Sequence, residues 1–542
     1  MGLSLTPLDW LIGGAALAGN ILLGLWWALR VRKTGSSAEF FLAGRRLMWP
    51  VVGASLYATN IGAEHMVGLS GDAYRYGISA GANELTAAIS LGIATAILIP
   101  YYLKNQVFTI PEFLELRYCK QARMFFSAMM LLICVVTKMG FCLYAGALVL
   151  NALVGWPIML TVVALGIITA IITMIGGFGV VAYTDAIHAP IMILGSALVV
   201  GIGLHHVGGW HALCEAVKHT PVPDAMHMCK PVSDPNYPFW GLMFCAVYGG
   251  TFYWGIDQVN IQRVLGAKNQ DQARWGAMFA ILLKLTPAFI FALPGVIALV
   301  LFPGREPRTA FVTILNEMLP SGVRGYVLSA LVGAIIAALI AVMNSISTMA
   351  VRDFLLHFRP RTSETAQILW GRFAIAGAMV LGILAAWMVM HQDEGIYKYL
   401  IQVSVYLVLP IAPAIILGIM SKKVTFPGAV ASVGVGLMIS ALYLTDSFMA
   451  ILRSPEAAAA KFPFLHQTLT TNFTWRGLWG TIAVVIVLFV VSAFTEKTAP
   501  EKLETTTIKW GGKPEPFRGI SDWRLHITLL LAATAFLYIK MW

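Results

Sequence analysis

The chain has 542 residues, 58% of them apolar and only 12% charged, against roughly 45–50% and about 25% for an average soluble protein. A soluble chain of this length would need several domains, each with a polar shell that these charges cannot supply. Composition thus excludes disorder, a disulfide-built secreted scaffold and a nucleic-acid binder, leaves an all-α polytopic membrane protein, and turns the net charge of +11 into a question of where the basic residues lie.

A helix needs about 20 mostly apolar residues to cross the hydrocarbon core, and irregular backbone cannot face lipid. On that measure the sequence holds fourteen spans, at 8–29, 47–70, 81–103, 122–155, 157–176, 178–207, 238–264, 275–302, 325–351, 367–391, 396–420, 425–445, 475–495 and 524–541. The first 29 residues contain no Lys or Arg. The first span therefore lacks the basic start of a signal peptide and is expected to stay in the mature protein. Arg30, Arg32, Lys33, Arg45 and Arg46 follow it, which by the positive-inside rule places the N-terminus outside. Counting onward, 24 of the 37 basic residues fall in inside loops or at the inner ends of the spans beside them, and an even number of spans returns the C-terminus to the outside.

The six cysteines show no CxxC and no zinc-ligand spacing, so metal and redox chemistry find no support. Cys214 and Cys229 share the outside loop 208–237 and could pair if it faces an oxidising compartment. The outside loop 446–474 carries the sequon Asn472-Phe473-Thr474, a glycan acceptor only in a eukaryotic secretory route. No loop is long enough to hold a soluble domain.

Ionisable groups inside a bilayer cost at least ~2.5 kcal/mol each, so they face a cavity or a partner. Two spans carry most of the signal. The second reads Gly53-Ala-Ser-Leu-Tyr-Ala-Thr-Asn-Ile-Gly-Ala-Glu-His65 and the seventh Gly249-Gly-Thr-Phe-Tyr-Trp-Gly-Ile-Asp-Gln258, both interrupted by small and polar residues. Paired interruptions in two halves point to a transporter site, because unwound backbone frees carbonyls and helix ends to bind solute and ion. The breaks lie five spans apart, which predicts two five-helix repeats of inverted topology. The expected layout is an extra helix and basic loop over 1–46, a first repeat over 47–207, the loop 208–237, a second repeat over 238–420, and three further helices over 421–542.

Other intramembrane polar groups are Glu84, Lys138, Asp185, Lys284 and Gln402. Amide, carboxylate, ammonium and indole groups suit a polyhydroxylated solute, since hydroxyls need both donors and acceptors and an aromatic face stacks on a sugar ring. Plainer roles compete with this one. Tyr253 and Trp254 fit lipid-interface aromatics, and His65 a structural histidine. Lys138 is expected to snorkel or to meet a helix C-terminus. Asp257 and Arg263, near the inner end of their span, also fit a plain cytoplasmic ion pair.

These stretches resemble the solute:sodium symporter family, and within it the sodium/sugar cotransporters. The resemblance rests on Phe41-Leu-Ala-Gly-Arg45, the second-span stretch Gly53–Ile61, Thr109-Ile-Pro-Glu-Phe-Leu-Glu-Leu-Arg117, Ile175-Gly-Gly-Phe-Gly179 with Tyr183-Thr-Asp185, Tyr253-Trp254 with Asp257-Gln258 and Ile261-Gln-Arg263, Leu283-Lys-Leu-Thr-Pro287, and Asn344-Ser-Ile-Ser-Thr348, in order along almost the whole chain. It implies fourteen helices around a five-plus-five inverted-repeat core, the amino-acid/sodium symporter-like fold. It also implies sugar contacts from Asn60, His65, Glu84, Lys284 and Gln402, and an inner-gate aromatic at Tyr253 with Trp254 beside it. Gly250 and Ala87 stand where some bacterial sugar members have Asn and Ser.

The resemblance further implies one sodium ion, held by the carbonyls of Ala58 and Ile61 in the second span, by that of Ala334 in the ninth, and by two hydroxyls. The hydroxyl positions map to Ala337 and Ala338, which have none. Sodium needs about five oxygens to offset its dehydration, so its coupling is questioned by the sequence itself. Asp185 matches a carboxylate on the ion exit path. Asp185 could serve protons instead or be a remnant, so Na+ is the coupling ion the resemblance implies, protons are the alternative, and no other cofactor is expected.

The expected function is a hexose carrier, for glucose or galactose, working by alternating access in a plasma membrane, with a bacterial inner membrane favoured by the chain's compact length. A sodium symporter for another small organic solute and a non-transporting sugar sensor are the alternatives. An intramembrane enzyme lacks any protease or paired-carboxylate motif.

Overall fold

A computed structural model describes residues 5–31, 36–62, 64–390, 396–443, 472–509 and 516–542. Every predicted span coincides with helix there. Nine helices among the described residues are long and apolar enough to cross a membrane, and ten if Ile401–Val408 and Ala412–Met420, bent by 54°, form one span. The remainder of the fourteen has simple causes. Spans 5 and 6 run together as Ile158–Val207, with a single non-helical residue, Gly177, at φ +59°. Spans 2 and 7 are broken into pieces, and the last helix, Trp523–Lys540, carries Arg524, His526 and Lys540.

The second span is helical over Trp49–Asn60, leaves the helix at Ile61 (φ −98°, ψ 112°), and resumes as a wide π-type turn over Glu64–Leu69. The seventh is helical to Gly255 and breaks at Ile256 and Asp257; the Asp257 side chain then caps a second piece, Gln258–Leu265, by accepting from the Val259 N–H. Spans 2, 3, 7 and 8 pack on one another, with span 2 against span 8 and span 7 against span 3. That exchange of partners is what two inverted repeats require. Spans 4, 9 and 10 form a second group, and the long Ile158–Val207 helix touches both.

Two possibilities left open for loops 208–237 and 446–474 are narrowed. Cys214 and Cys229 are both free thiols; the Cys229 Sγ points at the Tyr538 carbonyl, 3.8 Å away on the last helix. The pairing that their shared loop left open is therefore not made. Most of loop 446–474 lies outside the described residues, but its sequon asparagine is described. Asn472 is only 2% exposed, its Nδ2 donates to the carbonyls of Pro235 and Asn236 at 2.8 and 3.0 Å, and its Oδ1 caps the thirteenth span at the Thr474 N–H. The nitrogen that would carry a glycan is thus consumed in packing. Expression in a glycosylating host is expected to give a chain whose gel mobility ignores glycosidase. Asn472→Ala should cost about 1 kcal/mol as a lost helix cap, read as a lower thermal midpoint.

Candidate solute site

The broken spans meet at a cavity of about 220 Å³ lined by spans 2, 3, 4, 7, 8, 9 and 11. Asn60, His65, Glu84, Tyr253, Trp254 and Lys284 all lie on its wall. They form one connected network. Lys284 Nζ donates to Glu84 Oε2 and to Asn60 Oδ1, and Asn60 Nδ2 donates in turn to the Tyr253 hydroxyl at 2.7 Å. His65 lies between two carboxylates, with Nε2 3.3 Å from Glu84 Oε1 and Nδ1 3.4 Å from Glu64 Oε1. The Trp254 ring stands edge-on to Tyr253, with centroids 5.2 Å apart, and Lys284 lies 5.8 Å from its centroid. Residues 193 positions apart in the two broken spans, Asn60 and Tyr253, are thus joined directly.

Local backbone explains how these side chains reach the cavity. His65, Lys138 and the stretch Ala246–Gly250 all lie in π-type turns of spans 2, 4 and 7, and such wide turns recur at functional sites because they rotate side chains out of helical register. Lys284 is the last residue of Gln270–Lys284, just before the kink at Leu285–Thr286. Gly250 is set by a close approach: a Cβ there would strike Ser90 Oγ, which donates to the Ala246 carbonyl at 2.7 Å. The side-chain volume that some sugar members carry at 250 is filled here by Ser90 from the third span.

Three expectations fare differently. Gln402 is absent from the cavity wall, which takes Ile401, Ser404, Val405 and Val408 from the eleventh span instead. That spacing of three and four marks one helix face, and residue 402 lies about 100° off Ile401 around it. Asp257 and Arg263 do not pair. Arg263 lies 3.4 Å from Asp185, whose Oδ2 also accepts from Ser55 and Thr59 at 2.7 and 3.0 Å. Asp257 pairs instead with Lys138, 2.5 Å away. Lys138 therefore neither snorkels nor meets a helix C-terminus. Sequence reasoning also passed over Glu64, Thr59, Thr137 and Ser404 on the wall; the available signal was Glu64 itself, a second carboxylate one residue before His65.

Of the five residues mapped to the sodium position, Ala337 and Ala338 are buried, 2% and 7% exposed, and offer only methyl groups. Ala334 is buried in the same helix, and Ile61 donates its N–H to the Ala58 carbonyl at 3.3 Å. The donor set there consists of backbone carbonyls alone, one of them already shared. It does not fit a hard cation.

Residues 40–436 match the model of the sodium:solute symporter family. Among curated relatives, sodium/glucose cotransporter 1 of Ovis aries is 31% identical over 87% of this chain and 76% of its own length. Sodium/myo-inositol cotransporter 2 of Mus musculus is 29% identical over 92% of this chain and 78% of its own. Among solved structures, a Na+-coupled sialic acid symporter superposes with a TM-score of 0.73 at 19% identity, over 91% of this chain and 99% of that one. Mhp1, a nucleobase-cation-symport-1 transporter, gives 0.54 at 14% identity, over 88% and 99%. With its broken spans and helical membrane architecture, the chain belongs to the sodium:solute symporter family of membrane transporters.

Proposed function

We propose that the protein moves a small polyhydroxylated solute, a hexose or a cyclic polyol, by alternating access about the cavity between its two broken spans. The observation that carries this reading is the Glu84–Lys284–Asn60–Tyr253 network beside Trp254. It presents carboxylate acceptors, amide and ammonium donors and an aromatic face within one cavity, the set that sugar hydroxyls and a sugar ring need. The named activities of the glucose and myo-inositol relatives support the same solute class. Gln402 is not part of the site proposed here. Tyr253, held by Asn60, is the inner-gate aromatic, and the N-terminus and C-terminus both face outward across a plasma membrane.

Ion coupling is the second half of the proposal. The family is sodium-coupled, but a sodium position built from Ala58, Ile61 and Ala334 with methyls at Ala337 and Ala338 binds the ion weakly or not at all. The consequence is large, because one co-transported charge at ~100 mV supplies about 2.3 kcal/mol, or roughly 50-fold accumulation. Labelled glucose, galactose and myo-inositol uptake into proteoliposomes, with sodium, potassium or choline as the only variable, tests both halves. Uptake of at least one solute to equilibrium, without sodium-driven accumulation, is expected. No uptake of any of them would reject the solute class, and strong sodium-driven accumulation would reject the weakened ion site. In the same assay Ala337→Ser/Ala338→Ser is expected to raise sodium dependence.

A further inference from the structure

The charges on the cavity wall do not sum to zero. Glu64, Glu84 and Asp257 stand against the ammoniums of Lys138 and Lys284, and both ammoniums are already paired, Lys138 with Asp257 and Lys284 with Glu84. Glu64 is the carboxylate left over. Its Oε2 is buried and has no hydrogen-bond partner among the described residues, although a buried charge needs a compensating group. The imidazole beside it has room for one more proton. His65 Nδ1 accepts from the Gly62 N–H at 3.4 Å, which assigns the single proton of a neutral ring to Nε2, 3.3 Å from Glu84 Oε1. The same Nδ1 lies 3.4 Å from Glu64 Oε1. Two acceptors thus face each other, and one proton between them satisfies both and brings the wall to neutrality.

A metal ion does not fit the same gap. Sodium needs about five oxygens, and no group of three or more His, Cys, Asp and Glu among the described residues is arranged to hold a metal. Few other titratable groups face the pair. Glu84 does so from the third span, with Lys284 of the eighth behind it, and Cys142 and Tyr144 lie on the part of the fourth span that packs here. The wide turn Ala288–Ala292 of the eighth span brings the Phe291 ring, 6.5 Å from the imidazole. The eleventh brings Ser404 to the wall, and its Tyr406 accepts from Arg476. On the outer side the turn Glu64–Leu69 packs on Ser70–Tyr76, Pro307–Thr309 and Ala310–Glu317, whose ionisable residues are Asp72, Tyr74, Arg75, Tyr76, Arg308 and Glu317. Asp72 among them accepts from the Tyr237 hydroxyl at 2.8 Å.

We propose that the Glu64–His65 pair is a proton-binding site of the carrier, and that a proton is the ion that travels with the solute. A proton from the aqueous phase on one side binds Nδ1. The imidazolium then donates through Nδ1 to Glu64 and through Nε2 to Glu84, and the proton leaves to the other side once the cavity has turned. The pair sits where the second span is unwound, with Ile61 and Gly62 outside the helix and the wide turn starting at Glu64 itself. The bridge from Glu64 to Glu84 therefore fastens this break to the third span. Glu84 is also the acceptor proposed for solute hydroxyls, so a proton on His65 holds it where the solute needs it, and each ligand raises the affinity for the other. The assignment rests on the transport reading above.

The test is uptake of labelled glucose, galactose and myo-inositol into proteoliposomes in sodium-free medium, at zero potential, with and without an acid-outside gradient. A gradient of about two pH units permits up to roughly 100-fold accumulation for one proton per solute. The wild type is expected to accumulate at least one solute tenfold or more, to lose the accumulation with a protonophore, and to show a KM that falls as the medium is acidified. Glu64→Gln and His65→Gln, neither of which can take the proton, should bring the accumulation ratio to one and remove the pH dependence of KM, and Glu64→Asp should keep part of both. The thermal midpoint of each variant in detergent separates lost coupling from a lost fold, and the wild-type result decides by itself if a variant does not fold. Wild-type uptake that stops at equilibrium under the gradient overturns the proton assignment and leaves the transport reading standing. Protonophore-sensitive accumulation that survives in both Gln variants overturns this pair as the site. No uptake of any of the three solutes by the wild type overturns both readings.

Discussion

Glu84→Gln is expected to abolish saturable solute uptake, with affinity falling by at least ~100-fold, since losing one partner from a buried, charged hydrogen-bonded pair costs about 2–5 kcal/mol or more. Glu84 is 4% exposed and holds Lys284 through one oxygen and His65 through the other. The same substitution leaves the Lys284 ammonium, 2% exposed, without its carboxylate. A stability loss of about 3–5 kcal/mol accompanies it. Uptake alone would therefore confuse a lost solute contact with a damaged fold. The double variant Glu84→Gln/Lys284→Met separates them, because removing both charges takes away the desolvation penalty along with the attraction. It should recover most of the thermal midpoint and none of the uptake. Recovery of uptake in the double variant would show that the pair serves the fold alone; unchanged solute affinity in Glu84→Gln would remove the carboxylate from the site.

Much of this site was legible in the sequence, and the reason is the solvent. In a bilayer every polar residue is conspicuous, so Asn60, Glu84 and Lys284 stood out singly, and the interruptions at 61 and 256 marked the unwound backbone that brings them together. What a span pattern lacks is partner choice. Lys138 and Asp257 lie 119 positions apart on different helices, and no periodicity links them; Asp257 was instead assigned to Arg263 because the two are neighbours in sequence. The real partner of Arg263, Asp185, comes from the sixth span. Gln402 lies off the cavity wall for a different reason. Polarity selected it within an apolar helix, while the face that meets the cavity is set by Ile401, Ser404, Val405 and Val408. The sequon was ambiguous because Asn472 serves equally well as a helix cap, and only the carbonyls of Pro235 and Asn236 show which use is made of it.

Arg117→Ala is expected to destabilise the protein by about 3–5 kcal/mol. Arg117 is fully buried at the end of Ile110–Arg117, a short helix that Thr109 caps and Pro111 starts. Among the described residues none of its hydrogen bonds goes to a carboxylate. Nε donates to the Gly418 carbonyl at 2.7 Å, one terminal nitrogen to those of Ser421 and Val424 at 3.1 and 2.9 Å, and the other to Thr498 Oγ1 at 3.3 Å. Gly418 lies in the last turn of Ala412–Met420, where helix carbonyls have no partner of their own and the helix dipole is negative. The guanidinium thus closes the end of the eleventh span and fastens the 109–117 segment to it. Each carbonyl stranded by its loss costs about 1–3 kcal/mol. Arg117→Lys should recover only part of the loss, because a single ammonium cannot span a fork of carbonyls set at different angles. The measurement is the thermal midpoint in detergent with, alongside it, uptake per folded molecule. The eleventh span lines the cavity through residues 401–408, on the far side of the bend from Gly418. The folded fraction of Arg117→Ala should therefore still transport, and a midpoint equal to the wild type would show that water replaces the guanidinium without cost.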